Sequence, residues 1–407
     1  MSQVLVLNTG SSSIKYQLFE LPDSPEEAGS QGGSSLVSGT LGGVGEAAST
    51  LTHRVAGAEP LVIHASVPDQ EAGFDLIRAA FERSGGMPSE VAAVGHRVVH
   101  GGARFGEPVI VDDEVIAAIE ELTPLAPLHN PSNLAGIRLA QKLYPQVPQV
   151  AVFDTAFHST MPEIAYRYAL PVELADRLDI RRYGFHGTSH GYVSRQAAEY
   201  LGRPPGELKL ITLHLGNGAS VAAVDGGRSV DTSMGMTPLE GLVMGTRSGD
   251  IDPAIVLYLQ REGGLSVDEV DALLNRDSGL KGLTGSNDAR RLGERAAAGD
   301  PVAEQALDIF SYRIRKYVGA YAAVLGRLDG VVFTAGIGEN DPVIRAKVCA
   351  GLELLGIRLD PERNAGTADR SRPWPISTAD SPVPVLVVPT NEELEIARQS
   401  LAVTRRR

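Results

Sequence analysis

Three short turns in this chain consist largely of glycine, asparagine and hydroxyl residues, and each follows an apolar run. They are Asn8-Thr9-Gly10-Ser11-Ser12-Ser13, Gly216-Asn217-Gly218 and Gly336-Ile337-Gly338. Turns with so little side-chain bulk let an anion approach the backbone N–H groups closely, and Lys15 adds a cation beside the first. Singly, each also reads as an ordinary hairpin turn. Three of them behind three buried-strand candidates point to a nucleotide.

The densest polar stretch runs from Asp231 to Pro253 and carries one arginine, Arg247, among small residues. Its composition is poor for a helix, and a loop this long in a compact domain is usually functional. The plainer alternative is a surface loop held by Arg247 pairing with Asp250 or Asp252. Other site types fit less well. There is no G-x-x-x-x-G-K-[ST], and no G-x-G-x-x-G follows an early strand. Gly187-Thr188-Ser189-His190-Gly191 matches the nucleophile elbow of serine hydrolases. However, the charged, glycine-broken 181–186 segment is a poor leading strand, and the acids before His214 are too close in sequence for a triad. His96 with His100 falls in a strand candidate, where i and i+4 lie about 13 Å apart. His186 with His190 is interrupted by Gly187. Neither pair suits a zinc site.

These residues must be positioned by an α/β framework. Val4–Leu7 and Ile14–Phe19 flank the first turn, and Leu210–Leu215 and Ala219–Val224 flank the second. The repeated strand–turn–strand plan suggests a duplication, with copies starting near residue 1 and near residue 150 or later. Strands are expected at Val91–His100, Val150–Phe153, Val331–Thr334 and Val385–Val388. Helices are expected at Phe74–Arg83, Asp113–Leu122 and Val343–Leu355, and from about Glu392 behind an Asn391 cap. Gly29–Ser49 reads as a loop, with short strands around Leu36-Val37 and Leu61–Ile63.

Composition narrows the partners. With 407 residues the chain is long enough for two or three domains. A net charge of −13, from 37 Lys and Arg against 50 Asp and Glu, opposes nucleic acid or an anionic membrane as the main partner. The lone Cys349 allows no internal disulfide and reads as a buried, inert thiol. Met1–Leu7 lacks the pattern of a signal peptide, and no apolar run approaches the ~20 residues of a membrane span. A cytoplasmic location is expected.

The segments Asn8–Lys15, Gly95–Gly102, Phe153–His158, Tyr183–His190, His214–Gly218, Asp231–Pro253, Phe333–Asn340 and Pro389–Leu394 together resemble the acetate kinase (acetokinase) family. That family lies within the actin-like, sugar-kinase and heat-shock ATPase superfamily. The likeness follows family order over nearly the whole chain. It implies two duplicated actin-like, ribonuclease H-like α/β domains facing across a cleft. One is 1–150 on the acyl-substrate side, completed by the C-terminal helix 390–407, and the other is 151–389 for the nucleotide. It further implies Mg²⁺, or Mn²⁺ in its place, with ATP and ADP as co-substrates, acetate as acceptor and a homodimer.

By the same resemblance, Asp154, His186 and Arg247 are catalytic. Arg97 binds the acid, with Val99, Leu128, Phe185 and Pro238 around its methyl group. Lys15, His214, Leu215, Gly216, Asn217, Gly218, Asp288, Ala289, Arg290, Gly336, Ile337, Gly338, Glu339 and Asn340 serve the nucleotide. Asn8 and Glu392 serve the metal. Two departures from the family pattern are Thr9, expected to be harmless in the turn, and Ala289, where a bulkier residue is common.

A small carboxylate is already ionised at pH 7 and attacks phosphorus without a base, so catalysis would rest on charge neutralisation and alignment. On that logic Asp154 orients an arginine or metal-bound water, with proton transfer as the alternative. Glu392 also reads as a helix N-terminal carboxylate. Two rival functions are a kinase for propionate or another short acid, and an actin-like ATPase with no acyl substrate.

Overall fold

Strand pairing, more than local composition, decides the architecture. The structure is a computed structural model describing residues 1–23, 32–366, 369 and 371–406. Residues 29–31, at the start of the expected loop, lie outside those described. The chain divides into two compact units, Met1–Ala156 with Asn391–Arg407, and Phe157–Thr390. The division falls after Ala156 and not at residue 150, because the strand Gln149–Phe153 is hydrogen-bonded into the first unit's sheet. Asp154 therefore belongs to the first unit.

The first unit holds strands β1 (Ser2–Thr9), β2 (Ser13–Leu21), β3 (Ser34–Gly42), β4 (Ser49–Val55), β5 (Leu61–Ala65), β6 (Val91–Val98), β7 (Val109–Ile110) and β8 (Gln149–Phe153). They form one sheet in the order β5-β4-β3-β2-β1-β6-β8-β7. β1, β2 and β3 are antiparallel neighbours, and β1, β6 and β8 run parallel. Helices α1 (Gln70–Arg83), α2 (Asp113–Glu121) and α3 (Asn130–Leu143) belong to the same unit. Asp69 caps α1 by accepting from the Ala72 N–H at 2.9 Å, and the helix buries Phe74, Ile77, Ala80 and Phe81. Those side chains join Leu5, Leu7, Tyr16 and Leu41 in one core.

The expected loop around Gly32–Ser49 is instead mostly β3. Its serines and glycines are weak strand formers, but pairing with β2 on one side and β4 on the other fixes the segment. Thr9 is likewise the buried end of β1, and the turn proper is Gly10–Ser12.

The helix Glu392–Thr404 closes the other face of this sheet, burying Leu394, Ile396, Ala397 and Leu401 against Val4, Val6, Ala93 and Val150. It passes so near β6 that a side chain on Gly95 would put its Cβ 2.4 Å from the Ser400 hydroxyl oxygen. Glycine at 95 is what that approach requires.

The second unit repeats the plan. Strands β9 (Lys209–Leu215), β10 (Ala219–Asp225), β11 (Arg228–Thr232), β12 (Gly330–Thr334), β13 (Trp374–Pro375) and β14 (Val385–Val387) order as β11-β10-β9-β12-β14-β13. β9, β10 and β11 are antiparallel, and β9, β12 and β14 are parallel. The helix α4 (Gly187–Tyr200) packs Tyr192, Val193, Ala197 and Ala198 with Leu210, Val224 and Val332. The helix α5 (Pro301–Leu325) is capped by Asp300. Val343–Leu355 is not one helix: Pro342–Cys349 ends at Ala350, and Gly351 takes a left-handed φ of 80° before a short turn at Glu353–Leu355. Cys349 is buried there, its thiol pushed up to about 12 by burial. Among the described residues no helix is long and apolar enough to cross a membrane.

Candidate active site

Each unit brings its chemistry to the C-terminal ends of its parallel strands, the edge where open α/β sheets bind ligands. In the first unit β1 ends at Asn8-Thr9, β6 at Arg97-Val98, and β8 leads into Asp154, whose N–H donates to the Val98 carbonyl at 2.9 Å. The Arg97 guanidinium grips the Asp154 carboxylate with two nitrogens, Nε at 3.0 and 3.1 Å and Nη2 at 2.6 Å. Its Nη1 lies 3.5 Å from Asn8 Oδ1. Burial opposes the arginine's charge, but Asp154 beside it, with Glu392 and Glu393, holds its pKa above the ordinary value. Only 1 % of the Asp154 side chain is exposed against 23 % for Arg97, so the pair is fixed from the acid side and open from the arginine side. Both carboxylate oxygens are thereby engaged by the guanidinium.

Glu392 stands at the first position of the C-terminal helix, one residue beyond the Asn391 cap, which accepts from the Leu394 N–H at 3.0 Å. Its Oε1 is shielded from solvent and has no hydrogen-bond partner among the described residues. Burial raises its pKa to about 7, partly countered by Arg97 and Lys15 and reinforced by Asp154 and Glu393. An orphaned carboxylate oxygen near Asn8's neighbour Arg97 fits a hard cation, since Mg²⁺ usually takes one or two protein oxygens and completes its shell with phosphate and water. Among the described residues no group of three or more His, Cys, Asp or Glu could hold an ion alone.

A stability consequence follows. The folded Glu392 carboxyl keeps its proton up to about pH 7, whereas the unfolded one loses it near 4.5. Between those values the unfolded chain binds fewer protons, so stability falls as pH rises and levels off above the upper value. In urea titrations without metal or nucleotide, the midpoint should drop across this window, and the Glu392→Gln variant should lack that component. Equal pH slopes in the two proteins would remove the carboxyl from this role.

In the second unit, β9 ends at His214-Leu215 and the turn Gly216–Gly218 follows; Thr334 at the end of β12 is in register with His214. His186 precedes α4 with left-handed backbone angles, φ 57° and ψ 24°, unusual outside glycine. Its ring stacks on that of His214, with centroids 4.1 Å apart at 20°. A Cβ on Gly218 would lie 3.4 Å from His186 Nε2 and 3.5 Å from Arg247 Nη1. Glycine there leaves the ring nitrogen and the guanidinium open to the same turn. The Gly245 N–H donates to the Asn217 carbonyl at 2.9 Å, tying that turn to the loop bearing Arg247.

Arg247 donates from Nη1 to the Pro238 carbonyl at 3.0 Å and lies 3.6 Å from the Met244 sulfur. Burial lowers its pKa. Among the described residues it pairs with no carboxylate, so the bond to Asp250 or Asp252 offered by the plainer surface-loop alternative is not made. Asp250 is engaged elsewhere, accepting from the Gly241 N–H and the Tyr317 hydroxyl at 2.8 Å each and pairing with Arg313 at 3.4 Å. Arg182 holds the other end of the loop, donating to the carbonyls of Thr232, Ser233 and Met234 and pairing with Glu240. These contacts brace the loop without drawing on the Arg247 guanidinium.

The remaining expected residues divide unevenly. Lys15 is exposed on β2, paired in register with Asn8. Val99 is buried and Leu128 is 45 % exposed in the first unit; Phe185 is buried and Pro238 half-buried in the second. Asp288 caps the helix Ala289–Ala297 by accepting from the Arg290 and Arg291 N–H groups; Ala289 is buried and Arg290 exposed. Gly336, Ile337, Gly338, Glu339 and Asn340 form the short helix Ala335–Asn340. Its Glu339 is turned inward, accepting from the Ala335 N–H at 2.9 Å and the Thr390 N–H at 3.0 Å. Gly187–Gly191 is the first turn of α4 with no strand leading into it, so no nucleophile elbow exists. His96 is satisfied by Gln149 at 2.8 Å.

Sequence reading missed Thr212, Ser220 and the role of His190. All three are fully buried, and His190 is hydrogen-bonded to both Thr212 and Ser220. The available signal was a hydroxyl within each of two apolar strands.

A sheet of three antiparallel strands continued by two parallel ones occurs once in each unit, and this duplicated ribonuclease H-like arrangement defines an actin-like protein. Residues 3–398 match the model of the Acetokinase family. The acetate kinase of Leifsonia xyli subsp. xyli is 58% identical over 406 residues, 98% of each chain. That of Thermotoga maritima is 54% identical over 404 residues, again 98% of each. Among solved structures, Porphyromonas gingivalis acetate kinase aligns with a TM-score of 0.90 at 44% identity, covering 99% of this chain and 100% of that one. A propionate kinase from Francisella tularensis aligns with a TM-score of 0.91 at 41% identity and the same coverage. The chain belongs to the Acetokinase family.

Proposed function

We infer that the protein is an ATP-dependent acetate kinase, transferring the γ-phosphoryl group of ATP reversibly to acetate to give acetyl phosphate and ADP. The observation that carries the reading is Arg247, a desolvated guanidinium with no carboxylate on it among the described residues. A buried cation left unpaired is costly, and an anionic ligand relieves that cost. An arginine so placed stabilises the charge spread over the oxygens of a transferring phosphoryl group.

In this reading Arg97, oriented by Asp154, binds the acid, and the carboxylate attacks phosphorus in line without prior deprotonation. His186 and Arg247 donate to the phosphoryl oxygens. The backbone of His214–Gly218 receives the phosphates, with Asp288–Arg290 and Gly336–Asn340 on the nucleoside side. Val99 and Leu128 in the first unit, and Phe185 and Pro238 in the second, are the apolar residues assigned to the methyl group. Magnesium held by Asn8 and Glu392 supplies neutralisation of phosphate charge when bound. The test is an ATP-dependent hydroxamate assay across acetate, propionate and butyrate. Acyl phosphate from acetate is expected, and none from any of the three acids would overturn the assignment.

The likeness to a propionate kinase supports a second reading, in which propionate is preferred. One methylene in an apolar pocket is worth only ~1–3 kcal/mol, so the same assay, read as kcat/KM ratios, separates the two.

We also propose a cytoplasmic homodimer. Ile164, Val172 and Leu174 are exposed on two short helices that Arg167 links through Glu163 and Asp176, and Leu178 is exposed just past the second. An apolar ridge of this kind suits burial against a second copy. Sedimentation should give twice the 43.0 kDa chain mass, and the mass of a single chain would refute the dimer.

A further inference from the structure

Behind His186 lies a line of three side chains with no part in the mechanism above. His186 Nδ1 is 2.8 Å from Ser220 Oγ, and Ser220 Oγ is 2.8 Å from His190 Nε2. His190 Nδ1 is 2.7 Å from Thr212 Oγ1. Ser220, His190 and Thr212 are each wholly buried. Among the described residues, Thr212 Oγ1 has no other hydrogen-bond partner and Ser220 Oγ has only the two rings.

Counting protons along this line settles every donor. The Thr212 hydroxyl hydrogen has one acceptor, His190 Nδ1, and leaving a buried donor unmet is costly. Burial and the neighbouring His158 and His214 keep His190 neutral. With Nδ1 accepting, its one proton sits on Nε2 and is donated to Ser220 Oγ. The Ser220 hydrogen then has only His186 Nδ1 to go to. His186 must accept at Nδ1, which leaves its own proton on Nε2, the nitrogen beside Gly218 and Arg247.

We propose that Ser220, set by His190 and Thr212, is a positioning residue that locks His186 in the Nε2–H tautomer, so that a neutral imidazole presents a hydrogen-bond donor to the phosphoryl oxygens. The assignment of those oxygens rests on the function proposed above; the tautomer does not. Reversing it requires every hydrogen in the line to turn around and leaves the Thr212 hydroxyl without an acceptor. The stacked His214 ring holds the plane of the donor. Fixing a histidine tautomer through its other ring nitrogen is a recurrent device where imidazoles act on a ligand.

The experiment is nitrogen NMR of histidine-labelled native protein, with the His186 signals assigned by their loss in His186→Gln. The expected pattern is an unprotonated Nδ1 and a protonated Nε2. A protonated Nδ1 with a bare Nε2, or both nitrogens protonated at neutral pH, overturns the proposal. Ser220→Ala should mix the tautomers and lower kcat roughly 10–100-fold, the scale of losing an outer-shell partner of a histidine, with KM for acetate and ATP within about twofold. Ser220→Thr should restore both tautomer and kcat. Thr212→Val, similar in shape, should reproduce the tautomer mixing if Ser220→Ala does not fold. An unchanged tautomer in the foldable variants would sink the line's role. Native protein with the expected tautomer but no acyl phosphate product would instead count against the functional reading alone.

Discussion

Replacing Arg247 by alanine is expected to lower kcat on the order of 10³-fold while leaving KM for ATP and acetate nearly unchanged. Arginine fingers in other phosphoryl-transfer enzymes are worth 10³–10⁵ in rate, and the lower end applies because in the proposed reaction His186 and magnesium would share the charge. The structure adds a reason for a loss confined to the reaction step. Arg247 is braced by the Pro238 carbonyl and by the Asp250–Tyr317–Arg313 contacts of its own loop, so truncation removes a donor without releasing the loop. It also removes a desolvated charge that the free protein leaves without a carboxylate, so stability should hold or improve slightly. Steady-state kinetics with thermal melts would check both halves. A kcat loss below tenfold, or a collapse of the fold, would contradict the assigned role.

Arg97→Ala should behave in the opposite way, striking acid binding and stability together. The guanidinium is the partner of a carboxylate with 1 % exposure, and its removal leaves Asp154 buried and unpaired. Breaking such a pair from one side costs about 3–5 kcal/mol of folding stability. Loss of a charge-assisted grip on the substrate should cut kcat/KM for acetate by ~10²–10³, with KM rising. Arg97→Lys separates the effects. The ammonium keeps the charge beside Asp154 and should recover most of the stability, but it lacks the planar fork and should leave acetate binding impaired. Native-like acetate kinetics in Arg97→Ala would exclude this residue from the substrate site.

The parts of the fold and site legible in the sequence were those written in local pattern. The paired hairpins β1–β2 and β9–β10 showed as apolar runs around small-residue turns, and the duplication showed in their repetition. β3 showed only as a short strand around Leu36-Val37, because the serines and glycines along it join a strand only through neighbours on both sides. Arg247 stood out as one cation among small residues, yet its partner could not be read, since both nearby aspartates suited it and a carbonyl took it. Thr212 and Ser220 lay on adjacent strands, and only the antiparallel register, with Thr212 opposite Ala222 and Ser220 opposite His214, placed both beside His190. Residues close in space but separated in sequence carried that relay, and no spacing rule reaches them.

Because Glu392–Thr404 closes the sheet that Ser2–Thr9 begins, with the whole second unit encoded between, the earliest strands wait through nearly all of translation for their covering helix. Until it arrives, Val4, Val6 and Ala93 lack the apolar cover that this helix provides. A chain ending before Glu392 would lack both that covering helix and the Glu392 carboxyl it carries.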